Sequence, residues 1–222
     1  MEIRKLQYSI SHIHILTFTD HIKPIIAPYF TYEPLEYGID NENSLNQNVR
    51  LVFRKEGFIM QFNKEAAILL FEGDVQEVKR QNPIVNMFFD IYEKIKKIDG
   101  FIKIKNHAIT TDAVKLLDKD EYALVLDKNK YLTNPFKNVH DFASVLEFKE
   151  EAKRYRLQFG NYEPKDIAKH NLLPLKVEYN DDLQKGVGLL AQLQIVEDVS
   201  TSNFSKFKGL INDAEDIYNR YL

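Results

Sequence analysis

The sequence lacks cysteine and tryptophan entirely and is poor in glycine and proline, with 8 and 7 among 222 residues. Without cysteine the chain has no disulfide framework, no thiol nucleophile and no cysteine-ligated zinc or iron–sulfur cluster. Scarce glycine leaves few backbone loops that could cradle a phosphate. The sequence also contains no G-x-x-x-x-G-K-[ST], G-x-S-x-G or H-E-x-x-H motif. The common catalytic classes therefore lose support.

The chain has little surplus of either charge. It carries 30 Lys and Arg against 33 Asp and Glu, for a formal net charge of −3. A dedicated nucleic-acid binder normally has a basic surplus, so this balance argues against that class. Apolar residues make up 44% of the chain, and 15 Phe and 12 Tyr supply bulk for a core. The composition predicts a globular protein of one or two domains.

Long apolar runs are also missing. The first residues lack the apolar stretch of a signal peptide, and no window approaches the roughly 18 apolar residues of a membrane span. These features predict a cytoplasmic protein.

Alternating apolar residues predict four strands in the first half. The first is Ser11–Thr19, and the others are Val49–Arg54, Phe58–Phe62 and Ala66–Phe71. Because short turns join the last three, we expect them to pair as antiparallel neighbours. The long connection at 20–48 is predicted to be a loop with one helical turn around Ile22–Ala27.

Two amphipathic helices are predicted, one at the end of each half. Asn82 can cap the first and Pro83 suits its first turn, so this helix is predicted to cover 83–98. The second is predicted to cover 202–221. Its apolar stripe consists of Phe204, Phe207, Leu210, Ile211, Ala214, Ile217, Tyr218 and Tyr221.

The second half has further strand patterns, which predict two more hairpins. The predicted strands are Phe101–Lys105, Glu121–Leu126, Asp141–Phe148, Lys153–Phe159, Leu175–Tyr179 and Gly186–Glu197, with one helical turn at Asp112–Leu117.

The order of elements predicts an α+β fold, in which antiparallel sheet hairpins form two halves that each end in an amphipathic helix. The halves, 1–100 and 101–222, are two domains or one continuous domain. A short internal echo relates Phe53–Asn63 to Phe148–Asn161, since both segments have a charged turn and end near Gln-Phe. A duplication would explain this echo.

His12 and His14 are the sharpest candidate for a metal site. On a strand, residues i and i+2 point the same way, so both imidazoles could reach one ion. Asp20 or one of the three histidines His21, His107 and His140 could supply a further ligand, but no spacing selects one. The alternative is that both histidines lie on a half-buried strand face.

Four arginines form the candidate nucleic-acid surface. Arg50 and Arg54 share a strand face, as do Arg154 and Arg156. If these strands adjoined, they would form a basic sheet surface that could track phosphates. The alternative is an exposed sheet face of mixed charge.

Tyr218 and Tyr221, near the end of the final helix, are candidates for binding a partner, because aromatic residues dominate interface energetics. The alternative is that the final helix uses this stripe to pack on the sheet.

The overall layout resembles that of a known family. The segments that carry the likeness are Arg50-Leu51-Val52-Phe53, Gly57-Phe58, the strand Leu189–Val196, and Phe204, Ala214, Ile217 and Tyr221 of the final helix. Together they resemble an uncharacterised, sporadically distributed prokaryotic protein family. That family has no established reaction, and its patchy distribution implies an accessory component of a mobile or defence-related system.

The sequence therefore favours a non-enzymatic regulatory or accessory subunit, acting on a protein partner or as a homo-oligomer, with no cofactor. The alternatives are a small-ligand-binding α+β protein, a nucleic-acid-binding accessory protein, and a metal-dependent enzyme using His12 and His14.

Overall fold

The computed structural model of the chain describes residues 1–32, 36–80, 82–132, 143–165, 183 and 185–222. The strands in these ranges are β1 (Glu2–His12), β2 (Glu36–Asp40), β3 (Asn48–Phe53), β4 (Phe58–Asn63), β5 (Ala66–Glu72), β6 (Ile104–Leu117), β7 (Ala143–Glu150), β8 (Lys153–Tyr162) and β9 (Val187–Asp198). The α-helices are α1 (Phe18–Ile26), α2 (Val75–Lys79), α3 (Pro83–Ile95), α4 (Lys119–Leu132) and α5 (Phe204–Tyr221), and a 3-10 helix covers Ala27–Tyr32.

All nine strands join one sheet, in the order β2-β3-β4-β5-β1-β6-β9-β8-β7. Every pair of neighbours is antiparallel. The predicted α+β class with antiparallel hairpins is confirmed. The two halves of the chain meet at the centre of this sheet, where β1 pairs with β6.

The sheet has an approximate twofold symmetry that the strand order reveals. In the first half β1 is followed outward by β5, β4 and β3, and in the second half β6 is followed by β9, β8 and β7. Equivalent positions in the two halves contain the same pair of residue types, since Phe62 pairs with Ala67 and Phe159 pairs with Ala191. The approximate axis passes through the central pair Gln7 and Thr110. The two segments of the sequence echo lie on equivalent strands of this arrangement.

One face of the sheet carries the helices and the main core. Tyr8 of β1 lies at its centre, with ring contacts to Phe88 and Phe89 of α3 and to Phe207 of α5. The core includes apolar residues of both halves. Buried strand residues alternate with partly exposed ones, so the sheet buries one face under the helices and leaves the other to solvent.

The predicted strand Ser11–Thr19 is wrong. The strand β1 ends at His12, and α1 begins at Phe18. Phe18, Ile22 and Ile26 are buried at the four-residue spacing of a helix face, even though Pro24 lies inside α1. The connection at 20–48 accordingly contains most of α1, a 3-10 helix and the edge strand β2 rather than a long loop with one helical turn.

Two local predictions in the second half are also wrong. The predicted strand Glu121–Leu126 lies within α4, and the predicted helical turn Asp112–Leu117 is the end of the long strand β6. Asp118 caps α4, because its Oδ1 accepts the backbone N–H groups of Asp120 at 2.9 Å and Glu121 at 2.8 Å. The predicted strand Leu175–Tyr179 lies outside the described residues.

The two amphipathic helices are where the sequence predicts them. Asn82 caps α3, accepting the N–H of Ile84 at 2.8 Å, and α3 ends at Ile95, three residues before the predicted end. Asn203 caps α5 by accepting the N–H of Lys206 at 3.0 Å. Within the described ranges, none of the helices is both long and apolar enough to cross a membrane.

Candidate interaction surface

The face of the sheet opposite the helices has an uncharged centre, which we call the neutral patch. Two rows of residues cross five neighbouring strands there. The first row is Ile59, Leu70, Gln7, Thr110 and Gln194, and the second is Gln61, Ile68, Ser9, Ala108 and Val196. All ten side chains are at least partly exposed, and none is ionisable. Charged residues make up 28% of the chain, so an uncharged area of this width is notable.

Charged residues border the neutral patch on three sides and do not enter it. Arg50 lies beside it on β3, and Arg154 and Arg156 lie beside it on β8. On the same sheet face, the row next to that of Gln7 contains Lys5, whose Nζ is 3.7 Å from Glu72. Asp112 follows in that row and accepts a hydrogen bond from Gln192 at 2.9 Å. A neutral centre with a charged rim is the composition of protein–protein interfaces, where charged residues are depleted from the core.

The four arginines do not form one basic surface. Five strands separate β3 from β8, so Arg50 and Arg54 lie far from Arg154 and Arg156. The strands therefore do not adjoin, which was the condition for the predicted basic surface.

Carboxylates also neutralise three of these arginines. Arg54 bonds Glu36, and Arg156 Nε lies 3.4 Å from Glu147 Oε1. Arg154 donates two parallel hydrogen bonds, at 3.1 and 3.2 Å, to Asp198. The bonds from Arg154 lower the pKa of this carboxyl group, which keeps it charged. A phosphate backbone would have to displace these carboxylates in order to bind these arginines.

His12 and His14 do not come together as a metal site. Because β1 ends at His12, the two residues do not share a strand face. His12 is buried between the rings of Tyr92 and Phe101, with centroids 5.9 and 5.7 Å away. His14 is exposed, and its Nε2 lies 3.0 Å from Glu65. Burial lowers the pKa of His12 to about 4.

The other proposed ligands do not complete a metal site either. His21 is exposed on α1, Asp20 lies beside it, and His107 is buried elsewhere in the core. His140 lies outside the described residues. Among the residues that the structure describes, no group of three or more metal-binding side chains converges.

His107 belongs to a buried hydrogen-bond network that joins β1, β6, β9 and the start of α5. Its Nε2 lies 2.8 Å from Glu197 Oε2, and because a carboxylate only accepts, this nitrogen donates. The neutral ring then accepts at Nδ1 from Tyr8 Oη, 3.1 Å away. Tyr8 also bonds Ser202, which precedes α5. Burial lowers the pKa of His107, which keeps the ring neutral.

This network ties elements together and offers no catalytic site. A serine, a histidine and a carboxylate in series could in principle activate a nucleophile. Here His107 is fully buried and Ser202 is 2% exposed, so a substrate cannot reach the hydroxyl. No local pattern in the sequence indicates this arrangement, because Tyr8, His107 and Ser202 are far apart in sequence and only the fold brings them together.

The two tyrosines of α5 have different environments. Tyr218 is 1% exposed, and its hydroxyl donates to the carbonyl of Thr111 at 2.9 Å. The prediction that Tyr218 binds a partner is therefore wrong, because this side chain belongs to the core. Tyr221 is 46% exposed beside Phe148, with ring centroids 5.9 Å apart, and stays a candidate.

A groove of about 620 Å³ lies between α1 and the end of α3. Its lining consists of His21, Pro24, Ile25, Lys94, Lys97, Ile98 and Asp99. Most of these side chains are exposed, so the groove is a surface depression rather than the enclosed apolar pocket that the ligand-binding alternative requires.

Comparisons with known proteins add little to this geometry. No protein-family model and no curated protein matches the chain. One similar solved structure is the rolling circle replication initiator protein from Geobacillus stearothermophilus. It is 12% identical, with 89% of this chain and 74% of that chain covered and a TM-score of 0.28. A TM-score this low carries no argument about function.

Proposed function

We propose that this chain is a non-enzymatic interaction protein, a regulatory or accessory subunit that acts through protein–protein contacts, with the neutral patch as its docking surface. The observation that carries the proposal is the uncharged centre of a broad sheet face in a strongly charged chain. Burying this patch would remove no charged group from water, so the large desolvation cost of a buried charge would not arise. Burial of its apolar residues would contribute a favourable hydrophobic free energy.

The proposal also includes a setting. A cytoplasmic location agrees with the lack of long apolar runs in the sequence. The family resemblance described above favours an accessory role in a mobile or defence-related prokaryotic system. The proposed location and the proposed accessory role do not depend on which surface docks the partner.

The docking surface is tested by placing a charge at its centre. Ser9 lies on the middle strand of the patch, so Ser9→Lys would force a partner to bury an ammonium group. Asn212→Lys is the matched control, because Asn212 is exposed on α5, which packs on the opposite face. We expect native purification with mass spectrometry to recover a stable complex with wild type and Asn212→Lys, and at least about tenfold less with Ser9→Lys.

Two results would contradict the proposal. If wild type yields no stable protein complex, homomeric or heteromeric, the interaction function is wrong. If Ser9→Lys retains its complex as well as the control does, the neutral patch is not the docking surface. Salt-sensitive binding of a labelled single-stranded oligonucleotide, lost in Arg154→Gln and Arg156→Gln, would instead favour the nucleic-acid alternative.

A further inference from the structure

We infer that one end of the sheet docks on a lipid surface with anionic headgroups, where two exposed apolar side chains enter the lipid and neighbouring lysines contact the headgroups. This end consists of residues 13–17, between β1 and α1, and residues 97–105, which lead from α3 into β6. We call these two segments the basic tip. The inference goes beyond the proposed function, because the neutral patch lies on the face of the sheet and the basic tip lies at its end.

The two segments of the basic tip run side by side. The backbone N–H of Ile13 donates to the carbonyl of Lys103 at 3.1 Å. The hydroxyl of Thr17 donates to the carbonyl of Asp99 at 2.6 Å. Residues 14–16 lie between these two contacts in one segment, and residues 100–102 lie between them in the other, so the two segments form one surface.

Each segment presents one large apolar side chain to solvent. Leu16 is 71% exposed and Ile102 is 66% exposed, the two highest values for large apolar side chains among the described residues. Their neighbours belong to the core, since Ile15 is fully buried and Phe101 packs against Tyr92 with ring centroids 6.5 Å apart. Single exposed apolar residues are common on protein surfaces, but two such residues on adjoining segments indicate a contact with an apolar phase.

Lysines accompany these two apolar side chains. Lys97, Lys103 and Lys105 are exposed, and Asp99 is the one acidic residue in the sequence of the two segments. Other lysines of the chain pair with carboxylates, but none of these three forms an ion pair with a described residue. In a chain with a net charge of −3, the basic tip therefore has a local excess of positive charge.

The charge balance differs between the two ends of β6. The β4–β5 turn adjoins the basic tip and adds Lys64 and Glu65, which leave the positive excess unchanged. At the other end of β6, about 45 Å away, the sequence that begins α4 contains Asp118, Asp120 and Glu121. An anionic surface would attract the first end and repel the second, so the protein would dock by the basic tip with its sheet standing on the lipid.

A lipid surface fits the basic tip better than a protein or a nucleic acid does. The two short segments offer fewer than the roughly 20–30 residues that each partner contributes to a specific protein interface. A nucleic acid would contact the lysines but would leave Leu16 and Ile102 in water. Anionic lipids match both features, because apolar side chains enter the acyl boundary while lysines stay among the headgroups. A peripheral contact of this kind requires no spanning segment.

Vesicle binding is the first test. We expect wild type to bind phosphatidylcholine vesicles with about 30% phosphatidylserine at least about tenfold more strongly than pure phosphatidylcholine vesicles, and to lose this preference at about 1 M salt. The double variant Leu16→Ser, Ile102→Ser and the variant Lys103→Glu should each weaken binding to the anionic vesicles at least about tenfold. The matched controls on α4 are Leu124→Ser, at a side chain 59% exposed, and Lys119→Glu, and neither should weaken it.

The absence of tryptophan allows a second test that measures insertion. In Leu16→Trp the introduced indole is the only one in the chain, so its fluorescence reports on this position alone. We expect its emission to shift to shorter wavelength when the anionic vesicles are added, and lipids brominated in their acyl chains to quench it. Leu124→Trp should show neither effect.

The outcomes separate this inference from the proposed function. A wild type that binds anionic vesicles no better than neutral ones overturns the inference. A double variant Leu16→Ser, Ile102→Ser that binds anionic vesicles as wild type does also overturns it, because charge alone would then account for binding. If the double variant instead loses a co-purifying protein, or Lys103→Glu loses a bound oligonucleotide, and vesicles are not bound, the lipid surface is the wrong occupant. None of these results depends on the neutral patch, which Ser9→Lys tests separately.

Discussion

The two halves of the sheet share one topology but fill their cores from different elements. Tyr8 and Thr111 occupy equivalent positions, facing Leu69 and Leu193 respectively. In the first half the strand residue Tyr8 supplies an aromatic ring itself. In the second half Thr111 is small, and Tyr218 of α5 reaches it with a hydrogen bond. At these equivalent positions the aromatic ring thus comes once from a strand and once from a helix.

The helices that follow the two central strands also differ. Three apolar residues of α1 are buried, whereas no side chain among residues 119–127 of α4 is buried. The outer strands follow the same trend, since Leu51 of β3 is 2% exposed and the equivalent Leu146 of β7 is 42% exposed. Among the described residues, the first half therefore contributes more of the core.

The largest expected effect distinguishes the two tyrosines of α5. Tyr218→Ala removes a buried ring from the second half and should lower the free energy of unfolding by about 3–5 kcal/mol. Tyr221→Ala should change it by less than about 1 kcal/mol, because its ring is nearly half exposed. Urea unfolding measures both. Should Tyr218→Ala fail to fold, Tyr218→Phe should still cost about 1–2 kcal/mol through the lost hydrogen bond to Thr111.

The equivalent leucines provide the direct test of unequal packing. Leu51→Ala creates a cavity in the first half and should cost about 2–5 kcal/mol. Leu146→Ala removes a partly exposed side chain and should cost less than about 1 kcal/mol. Equal losses in urea unfolding would show that the second half packs as tightly as the first.

A smaller effect concerns pH and the buried His12 of the first half. Its pKa of about 4 lies below the ordinary 6.5, so the unfolded chain binds this proton more readily than the folded chain. The contribution of neutral His12 to the free energy of unfolding is fully present above about pH 7. It falls by about 3 kcal/mol as the pH approaches 4. His12→Leu should remove that part of the slope in urea unfolding measured at several pH values. An unchanged slope would assign the acid sensitivity to other groups, of which His107 is the first candidate.

Local signals explain which elements the sequence predicts correctly. Asn82, Pro83 and a regular apolar stripe mark α3, because a cap and a stripe act within a few residues. A similar signal preceded α4, where Asp118 and Glu121 form a capping box, with Glu121 close to the Asp118 N–H at 3.3 Å. The apolar residues of Glu121–Leu126 nevertheless predict a strand, although the structure forms a helix there.

The candidate surface depends on information that single segments do not contain. Each residue of the neutral patch is an ordinary outward-facing strand residue, such as Ser9 or Ala108. Only the register between strands distant in the chain places these residues side by side. Arg50, Arg154 and Arg156 lie on strands as the sequence predicts, whereas β3 ends at Phe53 and Arg54 lies in the turn after it. The sequence could not show that five strands separate the two groups.

The central pairing of β1 with β6 affects which substitutions the two sides of the sheet can acquire separately. An antiparallel strand pair centred on an axis at Gln7 and Thr110 is the contact by which two identical subunits would join edge to edge. In an assembly of identical subunits every substitution occurs twice. Here one continuous chain contains both sides, so each side can acquire a substitution that the other lacks. The shallower packing around Leu146 is a difference of this kind, which a symmetric assembly could not have fixed on one side only.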